Sequence, residues 1–368
     1  MISLGIDLAL YALSAVFAGI TGVASTLAPH RAWGAIAVWG YAAAAALVFL
    51  FRKRLWLTVL AWVAVAWVPL VVLASRGMAQ EEVTVVERAA QRFLDTGTPY
   101  LPRSAITGLL DYTPYQPGMA VFGLPNAAFG NHWWTDARIW FAVTTAAVLF
   151  GATRLLWPHP GLVRALQMAT VLPLCALTLA TGGDDIPVLA LCLLAFAFAS
   201  VQRFGAAGIA IGVAAAMKLL AWPVLLVLAV YAWRRRNFWP GALGIPLVSM
   251  LPVLAVNSDA FVENVIRYPT GHGLVTSPAA SPLIGYLLAQ HMPYGRTVAL
   301  GLLLAAGLAL GVYLFRQPPR SVRDVAFVSA AGLLAAIILM PSTRFGYLLY
   351  PVAFAFWAPC LQTRADPT

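Results

Sequence analysis

Two adjacent carboxylates, Glu81 and Glu82, stand just after an apolar run and open a segment with helical spacing. A carboxylate at a water–lipid boundary can take a proton from a hydroxyl when burial lifts its pKa toward the working pH. The same pair also suits the first turn of a helix, where the dipole favours negative charge. Lys218, the only lysine besides Lys53, interrupts a long apolar stretch. An ammonium there needs a partner or a water-filled cavity and could meet a lipid phosphate; it could also snorkel to the headgroups. Asp184 and Asp185 follow two glycines, a pairing that fits a metal or acid/base work and fits an exposed turn before Ile186-Pro187 as well. Arg344 has Tyr347 on its own helical face, with Tyr350 continuing the stripe, and a guanidinium forks well onto phosphate. Arginine and tyrosine are also ordinary interface anchors. His272, in YPTGHGLVTSP, could act as a base or a phosphate donor, although a lone loop histidine is commonly just solvated. Arg76, at the head of the longest polar stretch, and Tyr115, within it, complete the substrate-binding candidates.

These groups are sparse because the chain is built for lipid. Of its 368 residues, 61% are hydrophobic and 10% charged, against roughly 25% charged in a soluble domain. The net charge of +10 follows from the positive-inside rule, so no nucleic-acid partner is expected. Cys175, Cys192 and Cys360 all lie in apolar runs without a CxxC pair, which argues against a disulfide framework or a zinc site. No metal or other cofactor is called for. No cleavable signal peptide is expected, since Met1 leads almost directly into an apolar stretch carrying Asp7.

A spanning helix needs roughly 20 apolar residues. Single spans read at about 4–27, 33–51, 55–75, 136–156, 163–181, 186–202, 239–256, 296–315, 325–340 and 344–361. Between Arg203 and the Arg234-Arg235-Arg236 run lies a longer apolar stretch broken by Lys218 and Pro223. Two short helices meeting at Lys218 put both basic ends on one side, as the charge rule requires. The piece SPLIGYLLAQ is too short to span and reads as re-entrant or interfacial. The expected fold is an all-α polytopic bundle of about twelve transmembrane helices with both termini cytoplasmic. Ten of the thirteen acids then face the other side.

The longest polar stretch, from Arg76 to about Asp136, begins with an amphipathic helix. Val83, Val86, Ala89, Ala90 and Phe93 recur at three- and four-residue spacing, with Glu87, Arg88 and Arg92 between them. The helix should stop at Asp95-Thr96-Gly97. Extended, proline-rich loop should follow, through Thr98-Pro99-Tyr100 and Asp111 to Pro117.

Glu82, Ala89-Ala90, Gly97-Thr98-Pro99-Tyr100, the stretch Tyr112 to Pro117, the hairpin AGIAIGVAAAMKLLAWP with a basic run after it, and the ending STRFGYLLYP occur in that order. In this the chain resembles glycosyltransferase family 87, the polyprenol-phosphate-mannose-dependent mannosyltransferases of the GT-C superfamily. The resemblance covers about residues 55–361. It implies a GT-C-like core with outer loops at 76–135 and 257–295, two additional transmembrane helices in 1–54, and a cytoplasmic tail at 362–368.

The resemblance further implies an inverting transfer at the periplasmic or extracellular face of the cell membrane. The partners would be a polyprenyl-phosphate sugar donor, with mannose as the sugar, and a glycolipid or envelope glycan acceptor. Glu82 takes the place of the family's catalytic carboxylate. That residue is usually aspartate, and the extra methylene moves the carboxylate by roughly 1.5 Å, so Glu81 stays open as the base. Lys218 and Arg344 would hold the donor phosphate. A transporter or flippase of a lipid-linked sugar, or a non-catalytic envelope scaffold, would use the same basic residues and need no base.

Overall fold

The computed structural model describes residues 2–50 and 53–361, almost all of them helical. Arg52 and the tail 362–368 lie outside the described residues. Among the described residues the only β pairing is one isolated parallel bridge between Ala280 and Thr343.

Six helices are long and apolar enough to cross a bilayer. They are α1 (Ile2–Ala24), α3 (Arg54–Ser75), α5 (Ala137–Leu156), α11 (Arg236–Arg267), α13 (Gly295–Arg316) and α14 (Val322–Leu339). The expected span at 163–181 is instead a pair, α6 (Leu162–Thr170) and α7 (Pro173–Thr181), bent by 43°. Counting that pair as one raises the number to seven. Four apolar helices are shorter: α8 (Asp185–Ser200), α9 (Phe204–Met217), α10 (Ala221–Tyr231) and α15 (Phe345–Cys360). Length alone therefore does not reach the expected twelve. At 14 residues, α9 rises only about 21 Å against a hydrocarbon thickness of ~30 Å. Helix α11 also runs past the expected end at 256, through a non-helical kink at Asn257, to Arg267.

The hairpin at Lys218 forms as expected. Its two far ends meet: the Arg235 guanidinium lies 4.8 Å from the Phe204 ring, and that ring lies 6.1 Å from Tyr231. Helix α9 is rich in small residues because α11 presses on it. A Cβ at Gly208 would strike the Phe238 carbonyl, and one at Gly212 would strike the Gly241 carbonyl.

The first two helices are wired into the bundle. In α3, Pro69 has no N–H to offer the Val65 carbonyl one turn back, and a π-helical turn spans Val63–Trp67. Trp33, from α2 (Ala28–Leu47), donates its indole N–H to that carbonyl at 2.8 Å. Tyr41, also from α2, donates to Val171 O at 2.5 Å, where α6 breaks before Pro173. Near the other end of α1, buried Asp7 pairs with Arg54 and, at 2.7 Å, with Arg164. Asp7 thus joins three helices that apolar periodicity alone would leave unconnected.

Outside the spans, α4 (Glu81–Thr96) is the amphipathic helix expected there. Gly97 ends it with φ +75°, its N–H on Phe93 O, a conformation that costs glycine little. Val83, Val85, Val86, Ala89 and Ala90 are buried, but Phe93 is 40% exposed, so the apolar face is one turn shorter than expected. The SPLIGYLLAQ segment forms the eight-residue α12 (Ile284–His291). Its Gly285 packs on the last carbonyls of α14, with no room for a Cβ.

The close helix contacts give a direct test. Gly212→Val should cost about 1–3 kcal/mol by overpacking and lower the melting temperature of the purified protein in detergent. Gly301→Ala, at a site with open space around it, should leave that temperature unchanged.

Candidate active site

The site rests on a seam between residues 78–80 and 180–181. Arg138, in the first turn of α5, is fully buried and donates to Met78 O at 2.8 Å and to Ala180 O at 2.9 Å. Its remaining nitrogens fork onto Asp136 at 2.9 and 2.6 Å, so the guanidinium is neutralised where it lies. Gln80 N–H donates to Thr181 O at 2.8 Å across the same seam.

Each side of the seam delivers carboxylates. Gln80 is the extended N-cap of α4, so Glu81 and Glu82 occupy its first turn. After Thr181 the chain turns through Gly182 and Gly183 into Asp184 and Asp185 at the start of α8. Gly183, at φ +85°, lies against Phe141 and has no room for a side chain.

Glu82 forms an ion pair with Arg344. Arg344 owes its place to the isolated bridge, since Ser281 N–H donates to Thr343 O at 2.9 Å and Thr343 N–H to Ala279 O at 3.0 Å. Phe345 N–H on Ser281 Oγ holds the other side of it at 2.9 Å. Both charges are partly accessible, with side-chain exposures of 14% for Glu82 and 33% for Arg344.

Lys218 forms the second, deeper charge group. The extended conformation at the end of α9 brings its Nζ to 2.5 Å from Asp184 Oδ2 and 2.6 Å from Asp185 Oδ1. All three side chains are more than nine-tenths buried. Lys218 thus bridges the two carboxylates. Tyr350 donates to Asp185 Oδ1 at 2.8 Å. The rings of Tyr115 and Tyr347 lie 5.5 and 5.4 Å from the ammonium, within cation–π range. Tyr347 links the two groups, because its N–H bonds Arg344 O at 3.1 Å.

The proline-rich loop braces Tyr115. Tyr100 donates its hydroxyl to Tyr115 O at 2.7 Å, and Gln116 N–H reaches Met217 O, next to Lys218, at 3.1 Å. Farther out, Tyr112 stacks on Tyr268 with ring centroids 4.0 Å apart and donates to buried Glu263 at 2.8 Å. Burial pushes the Tyr268 hydroxyl to about 12, and the charge of Glu81 adds to that push. Glu81 is exposed, while Glu82 points at Arg344.

Seven of the sequence candidates gather here: Glu82, Arg344, Lys218, Asp184, Asp185, Tyr115 and Tyr347. Lys218 and Arg344 do not meet over one shared space in this arrangement; each already holds carboxylate. Arg76 is exposed at the end of α3 and shows only a backbone turn bond to Leu73 O. His272 is also exposed and contacts Thr270 Oγ1 at 3.1 Å. Sequence reasoning missed Gln80, Thr181 and Arg138, whose bonds run to segments far along the chain that no spacing reveals. It placed Tyr350 on the right stripe without seeing its bond to Asp185.

Comparison with known proteins comes to the same scaffold. The profile of glycosyltransferase family 87 matches residues 112–342. No curated protein matches the chain. The crystal structure of ArnT from Cupriavidus metallidurans bound to undecaprenyl phosphate is similar with a TM-score of 0.51 at 19% identity. The apo form of the same protein gives 0.45 at 17%. Each alignment covers 84% of this chain and 60% of ArnT, so this chain spans well under the full length of that protein. What this chain shares with ArnT is the fold.

Two outcomes follow from the charges. Lys218→Met strands two buried carboxylates and should cost about 3–5 kcal/mol, read as a large drop in melting temperature. Adding Asp184→Asn and Asp185→Asn should recover most of that loss. Separately, burial lifts the Glu87 carboxyl to about 7, with Asp136 adding to the lift against the Ala137 N–H bond and Arg138. The folded protein then holds a proton that the unfolded chain releases near 4.5. Stability should fall as pH rises from about 4.5 to 7, and Glu87→Gln should flatten that slope in thermal melts.

Proposed function

The chain belongs to glycosyltransferase family 87, and from that premise we propose that it transfers a sugar from a polyprenyl-phosphate donor to an acceptor hydroxyl, with inversion. The observation that carries this reading is the Glu82–Arg344 pair set beside the Lys218 group. The base of this reading and its phosphate ligands lie on adjoining groups joined through Tyr347, although they come from α4, the segment before α15 and the α9–α10 hairpin. ArnT, whose fold the chain shares, is seen bound to undecaprenyl phosphate, a lipid of the proposed donor class.

In the resting arrangement Arg344 holds the Glu82 carboxylate, and a paired carboxylate is a weak base. A donor phosphate competes for the guanidinium and releases Glu82. Freed in a partly dry site, the carboxylate takes the proton of the acceptor hydroxyl. The oxygen attacks the anomeric carbon as the bond to the phosphate oxygen breaks on the opposite face. Arg344 and Lys218 stabilise the departing polyprenyl phosphate. The leaving group is already an anion and needs no proton.

The sugar in this reading is mannose and the acceptor a glycolipid or envelope glycan. The site in this reading faces the non-cytoplasmic side of a cell membrane crossed twelve times, with 55–361 as the catalytic core. The short helices support that orientation. If α9 starts at the cytoplasmic boundary, its length of about 21 Å leaves Lys218 about 9 Å below the opposite one. That is the depth at which a lipid-borne phosphate can be met from the side.

Glu82→Gln should abolish transfer of radiolabelled mannose from polyprenyl phosphate mannose while leaving donor binding intact. Arg344→Ala should weaken donor binding by roughly 10-fold or more, as loss of a charged hydrogen bond does. Full transfer by Glu82→Gln would remove the base assignment. Lipid movement across vesicles without any transfer would favour a flippase instead.

A further inference from the structure

The first two helices, like α4, precede the family-matched residues 112–342, and one of their side chains reaches the cap of the helix that bears Glu82. His30, in the first turn of α2, has its Nε2 2.9 Å from Gln80 Nε2. Gln80 Oε1 faces Thr181 Oγ1 at 3.1 Å, and a Cβ at Gly182 would sit 2.8 Å from that oxygen. The amide is thus gripped on three sides. The Thr181 hydroxyl also reaches Leu177 O at 2.9 Å, so the amide bridges the Thr181 hydroxyl and the His30 ring, which meets it through Nε2.

Gln80 makes no side-chain cap to its own helix. Its side chain is spent on His30 and Thr181, and its backbone N–H on Thr181 O. The register of the first turn of α4, where Glu81 and Glu82 stand, is therefore set from outside that helix. We infer that His30 is a positioning residue for the Glu82 carboxylate, acting through the Gln80 amide, and that the N-terminal helix pair is a working part of the active site. This rests on the reading of Glu82 as the base. Small misplacements of a reacting group cost up to about 100-fold in rate, so the effect belongs in kcat rather than in donor affinity.

The test compares His30→Leu, which removes the ring nitrogen, with His30→Gln, which puts a polar amide near the same place. Full-length protein in detergent is assayed with polyprenyl phosphate mannose and a synthetic alkyl glycoside acceptor, and amide hydrogen exchange is followed at residues 81–84. His30→Leu is expected to lose about 10–100-fold in kcat with KM within about twofold, and to exchange faster at 81–84. His30→Gln should stay near wild type on both readouts. Thr181→Val, which releases the amide from its other side, should repeat the His30→Leu pattern and serves if that variant fails to fold. Wild-type kcat and exchange in both His30→Leu and Thr181→Val would overturn the inference, as would equal impairment by His30→Leu and His30→Gln. The exchange arm needs no turnover. Active Glu82→Gln with altered exchange in His30→Leu would thus reject the assignment of the base while keeping the positional link.

Discussion

One buried guanidinium holds the site together. Arg138 ties Met78 O to Ala180 O and is itself neutralised by Asp136. Without that clamp, the turn before α4 and the last turn of α7 would leave carbonyls unsatisfied, at about 1–3 kcal/mol for each buried group. With it, the chain before α4 and the chain before α8 are fixed side by side. Glu82 and the Asp184–Asp185 pair are then neighbours by construction. A buried charge of this kind is a poor source of net stability. What it supplies is alignment, since both segments are held through backbone atoms and neither can slide without breaking a charge-assisted bond.

The charge groups gathered there differ in how firmly each is held. Lys218 is enclosed by two carboxylates, two aromatic rings and the hydroxyl-bearing Tyr350 at one remove. The Glu82–Arg344 pair is more accessible and hangs from a single β bridge. The rigid group is thus deep and the exchangeable one nearer the rim. That ordering suits a site in which the deep cation sets local charge and the outer pair opens to an incoming anion.

Much of this was legible in the sequence where one residue type had one strong physical reason. Gly97 ends α4 because little else accepts φ +75°. Lys218 marks a hairpin because two basic ends must lie on one side, and the Arg235–Phe204 contact bears this out. The amphipathic face of α4 was readable from spacing alone, apart from Phe93. The number of crossings was harder to read, because α9 and α10 are short and the break before Pro173 turns one expected span into two pieces. Partnerships were harder still. Nothing in the spacing says that Arg344 meets Glu82, 262 positions away. Nor does it say that Arg138 works through the carbonyls of Met78 and Ala180. Ion pairs follow from tertiary placement, and a sequence shows only that the charges must be paired somewhere.

Helix α2 touches its neighbours where they are weakest. Trp33 takes the carbonyl left over by Pro69, and Tyr41 takes the one exposed at the break before Pro173. Mechanically, α2 is a splint laid across two joints. The order of the chain gives the splint a timing. Helix α2 precedes both α3 and the α6–α7 pair, so it is already made when each jointed span is synthesised, and its donors wait for carbonyls that lipid cannot satisfy. The bends in the bundle can then be set as the spans arrive, one after another, rather than settled among straight helices afterwards.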